Sequence, residues 1–306
     1  MKTKNEKALK ILRAVVTVVI GYALTLLCNY VKKQLIGDRS INIYLNSFLS
    51  ELISAIVMIL IVVILKKTAA FRFSAKECLK GLKYGIVPIA ISALLAFTSL
   101  TSFTEGHELI RGWEIMLVLA QCILIGLSEE ALYRGAVLGL LTDAFGDDSK
   151  EKQTGAIVMT SVLFGATHLM NALSPEVSMT TALIQAVTAG FMGLVFGAIF
   201  FKTGRNIWAG VLIHAIIDAA SFISLGTFWG VSENAAIGSL SPASLINCVL
   251  YLVLFRFIMN DGERTLDEED TKDRKKLLWI LVGGTLAFLL IIFVIIPLVL
   301  SMTMEL

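Results

Sequence analysis

The chain has 306 residues, 57% of them hydrophobic, and its 26 Lys and Arg nearly balance 24 Asp and Glu, leaving a net charge of +2. Its mean hydropathy is +0.82, and its apolar share exceeds the roughly 45–50% usual for soluble domains. A soluble enzyme and a nucleic-acid partner are excluded: apolar runs of about 20 residues, each able to cross ~30 Å of hydrocarbon, recur along the whole length.

The expected fold is all-α, a polytopic transmembrane helical bundle of about 8–9 spans at that length per crossing. In chain order the candidate spans are 9–31, 43–65, 82–103, 113–142, 155–173, 179–201, 206–226, 243–259 and 277–303. The first follows MKTKNEKALKILR; its apolar run is longer than a signal-peptide core and has no small-residue cleavage site, so it reads as a retained span. Pro88 marks a candidate kink in the third. The fourth is too long for one straight crossing, which predicts tilt or a break near its charges. Gly193 and Gly197 form a GxxxG in the sixth, beside Gly190, and read as close helix packing. NDGERTLDEEDTKDRKK (260–276) reads as a charged, solvated loop. The chain divides into N-terminal transmembrane helices (1–112), a catalytic helical core (113–226) and C-terminal transmembrane helices with that charged cytoplasmic loop (227–306). Cys28, Cys78, Cys122 and Cys248 are scattered without a CxxC pair and read as buried apolar residues.

Positive charge sets the orientation. With the N-terminus in the cytoplasm and strict alternation, 21 of the 26 Lys and Arg fall on inside segments, four fall outside, and Arg134 remains within a span. That bias predicts a cytoplasmic N-terminus in an integral multi-pass protein, expected in a bacterial cell membrane.

Ionisable side chains at mid-depth cost about 2.5–3.5 kcal/mol each on insertion scales, so those retained usually face a partner or a wet cavity. Across the later spans they are few. "LSEEALYRGA" (127–136) carries Glu129, Glu130 and Arg134; "FGATHLMN" carries His168 and Asn171; "HAIID" carries His214 and Asp218. His107, in "TEGHELIRG", reads as surface. Glu130 and Arg134 are four apart, on nearly one helix face, with the acid on the preferred side. Glu129 points about 140° away from Arg134 at ~100° per residue, free to face another group. Counted from the cytoplasmic ends at ~1.5 Å per residue, Glu129 and His168 lie roughly 20 Å deep, Asp218 roughly 18 Å and His214 roughly 12 Å. Three helices thus put their polar groups in one slab. A structural hydrogen-bond network between helices is the bland alternative, but it gives no reason for the depths to coincide.

A carboxylate opposite a histidine can polarise a water and pass on its proton. A second histidine with a hydrogen-bonding neighbour can stabilise the oxyanion formed when that water attacks a carbonyl. Together these support peptide hydrolysis within the membrane. Ser128 lies in no nucleophile motif. Two histidines and a glutamate, Glu129, His168 and His214, also make a known Zn2+ ligand set; HExxH is absent, and both a metal-bound water and a metal-free Glu–His pair fit.

"SEEALYRG" resembles the EExxxR motif of the CPBP family, the type II CAAX prenyl endopeptidases and their bacteriocin-processing and self-immunity (Abi) relatives. "FGATH" is similar to its FxxxH motif and "HAIID" to its HxxxN or HxxxD motif, in family order on separate spans. The resemblance covers about 113–225 and implies an intramembrane endopeptidase, often classed as a metalloprotease, acting on a CAAX-type, lipidated or leader peptide. It implies Glu129 as the water-activating base and His168 as its assistant or a metal ligand. His214 and Asp218 would hold the oxyanion or orient the site, with Glu130 and Arg134 as a supporting pair. The chain departs where the family often has Asn and here has Asp218, whose charge would repel an oxyanion. The competing expectations are a proton-coupled transporter, whose relays use the same residue types, and a non-catalytic self-immunity protein.

Overall fold

The structure, a computed structural model, describes residues 4–36, 41–104 and 108–261. The expected ninth span (277–303), most of the charged loop and His107 lie outside them. Among the described residues there are ten α-helices and no strand: α1 (Lys4–Ile36), α2 (Ile43–Ile64), α3 (Ala75–Thr104), α4 (Gly112–Glu130), α5 (Leu138–Phe145), α6 (Lys150–Thr167), α7 (Met179–Lys202), α8 (Trp208–Ser224), α9 (Glu233–Gly238) and α10 (Ile246–Asn260). Seven stretches are long and apolar enough to cross a membrane, one of them the continuous run Gly112–Phe145 through α4 and α5. This is an all-α polytopic bundle. The seventh expected crossing (206–226) is the 17-residue α8, about 25 Å long at ~1.5 Å per residue and thus shorter than the seven stretches above.

Local chemistry starts the helices where polar residues interrupt the apolar runs. Asn42 caps α2 by accepting the Tyr44 and Leu45 amides, and its amide donates to Glu114 Oε1 at 2.7 Å, tying the starts of α2 and α4 together. Ser149, Ser178 and Ser232 cap α6, α7 and α9 through their hydroxyls, as small polar residues at N-caps do. The helix α3 runs on through Pro88.

The long fourth span does not break. Residues Ala131–Val137 form a π-helical turn between α4 and α5, and all seven are buried. Such wide turns inside α-helices are often found at functional sites. This one begins directly after Glu129 and Glu130 and contains Arg134.

The run α4–α5 packs against α1, α2, α6 and α8, and α7 is wrapped by α6 and α10. Glycines set the closest approaches. A β-carbon on Gly126 would lie 2.8 Å from the Val211 carbonyl oxygen, so α4 meets α8 backbone to backbone one turn above the glutamates. On α7, Gly193 and Gly197 lie against Ser161 and Ile157 of α6, the helix packing expected of the GxxxG.

Charged turns gather at one end of the bundle. Lys67 pairs with Asp143 at 2.7 Å, Lys10 donates to the Asp143 carbonyl, Arg205 pairs with Asp147, and Lys202 donates to the Asp261 carbonyl. These come from the start of α1, the α2–α3 turn, the end of α5 and the turn after it, the end of α7 and the turn after it, and the end of α10. They are the segments that strict alternation places on one side.

Candidate active site

The end of α4 and the middle of α8 meet through one imidazole. His214 Nε2 stands 3.3 Å from Glu129 Oε2 and 3.8 Å from Asp218 Oδ2. Its Nδ1 stands 3.7 Å from Glu130 Oε1. Adjacent residues with long side chains thus address opposite nitrogens of a single ring, whereas a helical count alone turns Glu129 away from Glu130's partners. The His214 side chain is 4% exposed and that of Glu129 20%, so the ring is enclosed while the carboxylate keeps an open edge. Glu129 Oε2, His214 Nδ1 and Asp218 Oδ2 are buried and have no hydrogen-bond partner in the protein. Buried polar atoms are normally paired; here they form a set of facing acceptors and a ring nitrogen.

Glu130 and Arg134 make the expected pair at 2.8 Å with side chains 1% and 0% exposed. The wider π turn leaves a four-residue spacing slightly short of a full turn instead of slightly past it, so the pair still meets. Arg134 also donates to the Gly193 carbonyl at 3.1 Å. Its guanidinium lies 4.9 Å from the Phe164 ring centroid and 5.0 Å from that of Phe196, and Phe196 stacks on His214 at 5.1 Å. The phenylalanine of FxxxH is therefore a hub. Phe164 meets Tyr133, His168 and His214 edge-on, locking the three motifs together through one ring.

His168 sits where α6 passes into the 3₁₀ turn His168–Leu173. Its Nδ1 faces the Phe164 carbonyl at 2.9 Å. Since a carbonyl only accepts, Nδ1 carries the proton and Nε2 is the basic nitrogen. Among the described residues His168 makes no ion pair with Glu129; the imidazole that contacts Glu129 is His214. The link between His168 and the π turn is a hydrogen-bond chain instead. Thr167 donates to the Phe164 carbonyl at 2.8 Å and accepts from the Tyr133 hydroxyl at 2.7 Å, whose oxygen lies 3.3 Å from the Tyr22 hydroxyl of α1. Asn171 donates to Gln185 at 2.7 Å, fixing the 3₁₀ turn to α7. Ser128 is occupied by a bond to the Ile125 carbonyl.

Four polar residues around this centre escape a reading of the three motifs. Tyr133 and Thr167 each immediately precede a motif residue. Gln121, about two turns before Glu129 on α4, donates to Glu233 Oε2 at 3.1 Å. Glu233 arrives on α9 because the chain doubles back after α8 through the buried turn Thr227–Trp229, framed by Gly226 (φ 84°) and Gly230 (φ 88°), a left-handed backbone that favours glycine. Burial raises the Glu233 carboxyl above its ordinary range; the Gln121 bond opposes that, and the charge of Glu129 adds to it.

Glu129, His168 and His214 do not converge as ligands, and among the described residues no three His, Cys, Asp or Glu side chains are grouped to hold an ion.

The room for Glu130 is supplied by Gly210, where a β-carbon would stand 2.4 Å from Glu130 Oε2. Gly210→Ala is expected to destabilise the fold by about 1–3 kcal/mol through overpacking. Gly112→Ala, a site with nothing within 4 Å, is the control, and the two thermal unfolding midpoints make the comparison.

Residues 111–220 match the family model described as "Type II CAAX prenyl endopeptidase Rce1-like". The match begins at the residue before α4 and closes two residues after Asp218, so it spans every side chain of the centre on α4, α6 and α8. No curated protein matches the chain.

Proposed function

We propose, from the premise that residues 111–220 of this multi-pass membrane protein belong to the Rce1-like type II CAAX prenyl endopeptidases, that Glu129 and His214 form the catalytic pair of an intramembrane endopeptidase. The observation that carries the reading is the 3.3 Å approach of Glu129 Oε2 to His214 Nε2, with that oxygen buried and free of any protein hydrogen bond. A carboxylate so placed takes a proton from a water attacking the scissile carbonyl and returns it to the leaving amine. The water's oxygen ends on the new carboxyl group and its hydrogens on the two products. His214 and His168 are the two imidazoles available to stabilise the oxyanion. His168 offers its Nε2 once that atom is protonated, since Nδ1 is committed to Phe164.

Asp218 flanks the same nitrogen of His214 as Glu129 does. In this reading it orients the ring, so the oxyanion meets the imidazole and not the bare aspartate. Glu130 and Arg134 hold the ring from its other edge. The substrate class is a membrane-associated peptide, of CAAX or leader type, with the charged end of the bundle in the cytoplasm.

The test is cleavage by the purified protein in nanodiscs, with products mapped by mass spectrometry on a prenylated CAAX-ended peptide and on an unlipidated leader-type peptide. Cleavage of either one, lost on chain unfolding, is expected. Gradient-driven solute uptake in proteoliposomes without cleavage would establish the transporter instead. Elemental analysis and chelator sensitivity of the active preparation read out metal dependence.

A further inference from the structure

Hydrolysis consumes one water per bond cut, and the centre described above lies among membrane-spanning helices. The structure assigns a route for that water. On α1, Tyr22, Thr25, Asn29 and Lys32 follow one another at three- and four-residue spacings, hence along one face of the helix. The outward faces of the same helix carry Leu24, Leu26 and Leu27, which are exposed. The polar face looks toward α2, with which α1 packs. Lys32 donates to Asn46 Oδ1 at 2.7 Å and to Ser50 at 2.6 Å, at the end where α1 finishes and α2 begins. Tyr22, at the other end of the row, lies with its hydroxyl 3.3 Å from that of Tyr133 and so joins the chain that leads to Thr167 and the Phe164 carbonyl shared by His168. Glu51, beside Ser50 on α2, adds a carboxylate to the helix that faces this row.

Between those ends, Thr25 Oγ1 and Asn29 Oδ1 are buried and have no hydrogen-bond partner in the protein. In hydrocarbon such atoms are strongly disfavoured, and polar side chains within spans face the bundle interior or a wet cavity. A helix that needed only to anchor the chain would place leucines there, as the opposite face does.

We propose that the seam between α1 and α2 is a hydrated cleft, entered where Lys32 meets Asn46, that delivers water to Glu129. The assignment of that water as reactant rests on the peptidase reading; the cleft itself does not. X-ray radiolysis generates hydroxyl radicals from the water beside each side chain, so it reads hydration inside a membrane protein. In nanodiscs, cysteines introduced as Thr25→Cys and Asn29→Cys are expected to oxidise at least tenfold faster than those from Leu26→Cys and Leu27→Cys. Comparable rates would overturn the proposal. In the unaltered chain Tyr22 is expected to oxidise several-fold faster than Tyr251, buried on α10, and equal slow rates count against the cleft even if a cysteine variant fails to fold. Neither measurement needs a substrate, so a dry seam and an inactive protein are separate results. Filling the seam with Thr25→Leu and Asn29→Leu is expected to slow peptide cleavage about tenfold; unchanged cleavage would show that the reactant water arrives another way.

Discussion

Glu129→Gln is expected to lower peptide cleavage by about 10²–10⁴-fold, the range that a positioned general base contributes, with little change in the thermal unfolding midpoint. The substitution keeps the shape of the side chain and removes its ability to take a proton. Stability should hold because the carboxylate oxygen that faces His214 makes no hydrogen bond to the protein, so no structural bond is lost with it. The amide oxygen can still accept from the ring nitrogen it faces. Glu130→Gln separates the roles. That carboxylate is 1% exposed and pairs with Arg134 at 2.8 Å, so its loss should lower the unfolding midpoint. A Glu129→Gln protein that cleaves as fast as the parent would end the assignment of this residue as base. A variant that loses cleavage only in proportion to lost folded protein would reduce Glu129 to a packing group.

The sequence made the bundle and the neighbourhood of the site legible for one physical reason: charge is expensive in hydrocarbon. Apolar run lengths set the crossings, and eight of the nine expected spans coincide with helices, the ninth lying outside the described residues. The cost of intramembrane charge then selected Glu129, Glu130, Arg134, His214 and Asp218, which the fold brings into contact around one ring. Helical phase found the Glu130–Arg134 pair but not the convergence of both glutamates on His214. Phase angles fix where a side chain leaves the helix, not where a long one ends. Phase also gave no warning of the π turn at 131–137, since backbone hydrogen-bond register is not written in hydrophobic period. The expected partner of Glu129 was His168; matched depth cannot choose between two histidines on different helices. Glu51 was within reach of the same charge argument, being a carboxylate eight residues into an apolar span, and only the restriction to later spans hid it. Glu233 was not within reach. It lies on a short connection, and its approach depends on the chain folding back after α8.

Arg134→Leu is expected to be the most destabilising single change at this centre. The guanidinium is fully buried, bonded to Glu130 and to the Gly193 carbonyl, and packed between two phenylalanine rings. Removing it leaves the Glu130 carboxylate buried without its countercharge, a situation that costs about 3–5 kcal/mol. For a protein whose net stability is of the ordinary 5–15 kcal/mol scale, that loss should show as sharply reduced folded yield and a lowered denaturant midpoint. The double substitution Glu130→Leu with Arg134→Leu distinguishes charge from packing. Replacing a whole buried pair by apolar side chains is often neutral or even stabilising, so the double variant should recover most of the midpoint lost by the single one. It should not recover cleavage, because His214 then lacks the carboxylate on its Nδ1 side and is left with Glu129 and Asp218 at Nε2 and the rings of Phe164 and Phe196 to position it. A double variant that regains stability and activity together would make the pair a structural filler. A double variant as unstable as Arg134→Leu would instead locate the arginine's contribution in the bond to Gly193 and in its contacts with the two rings.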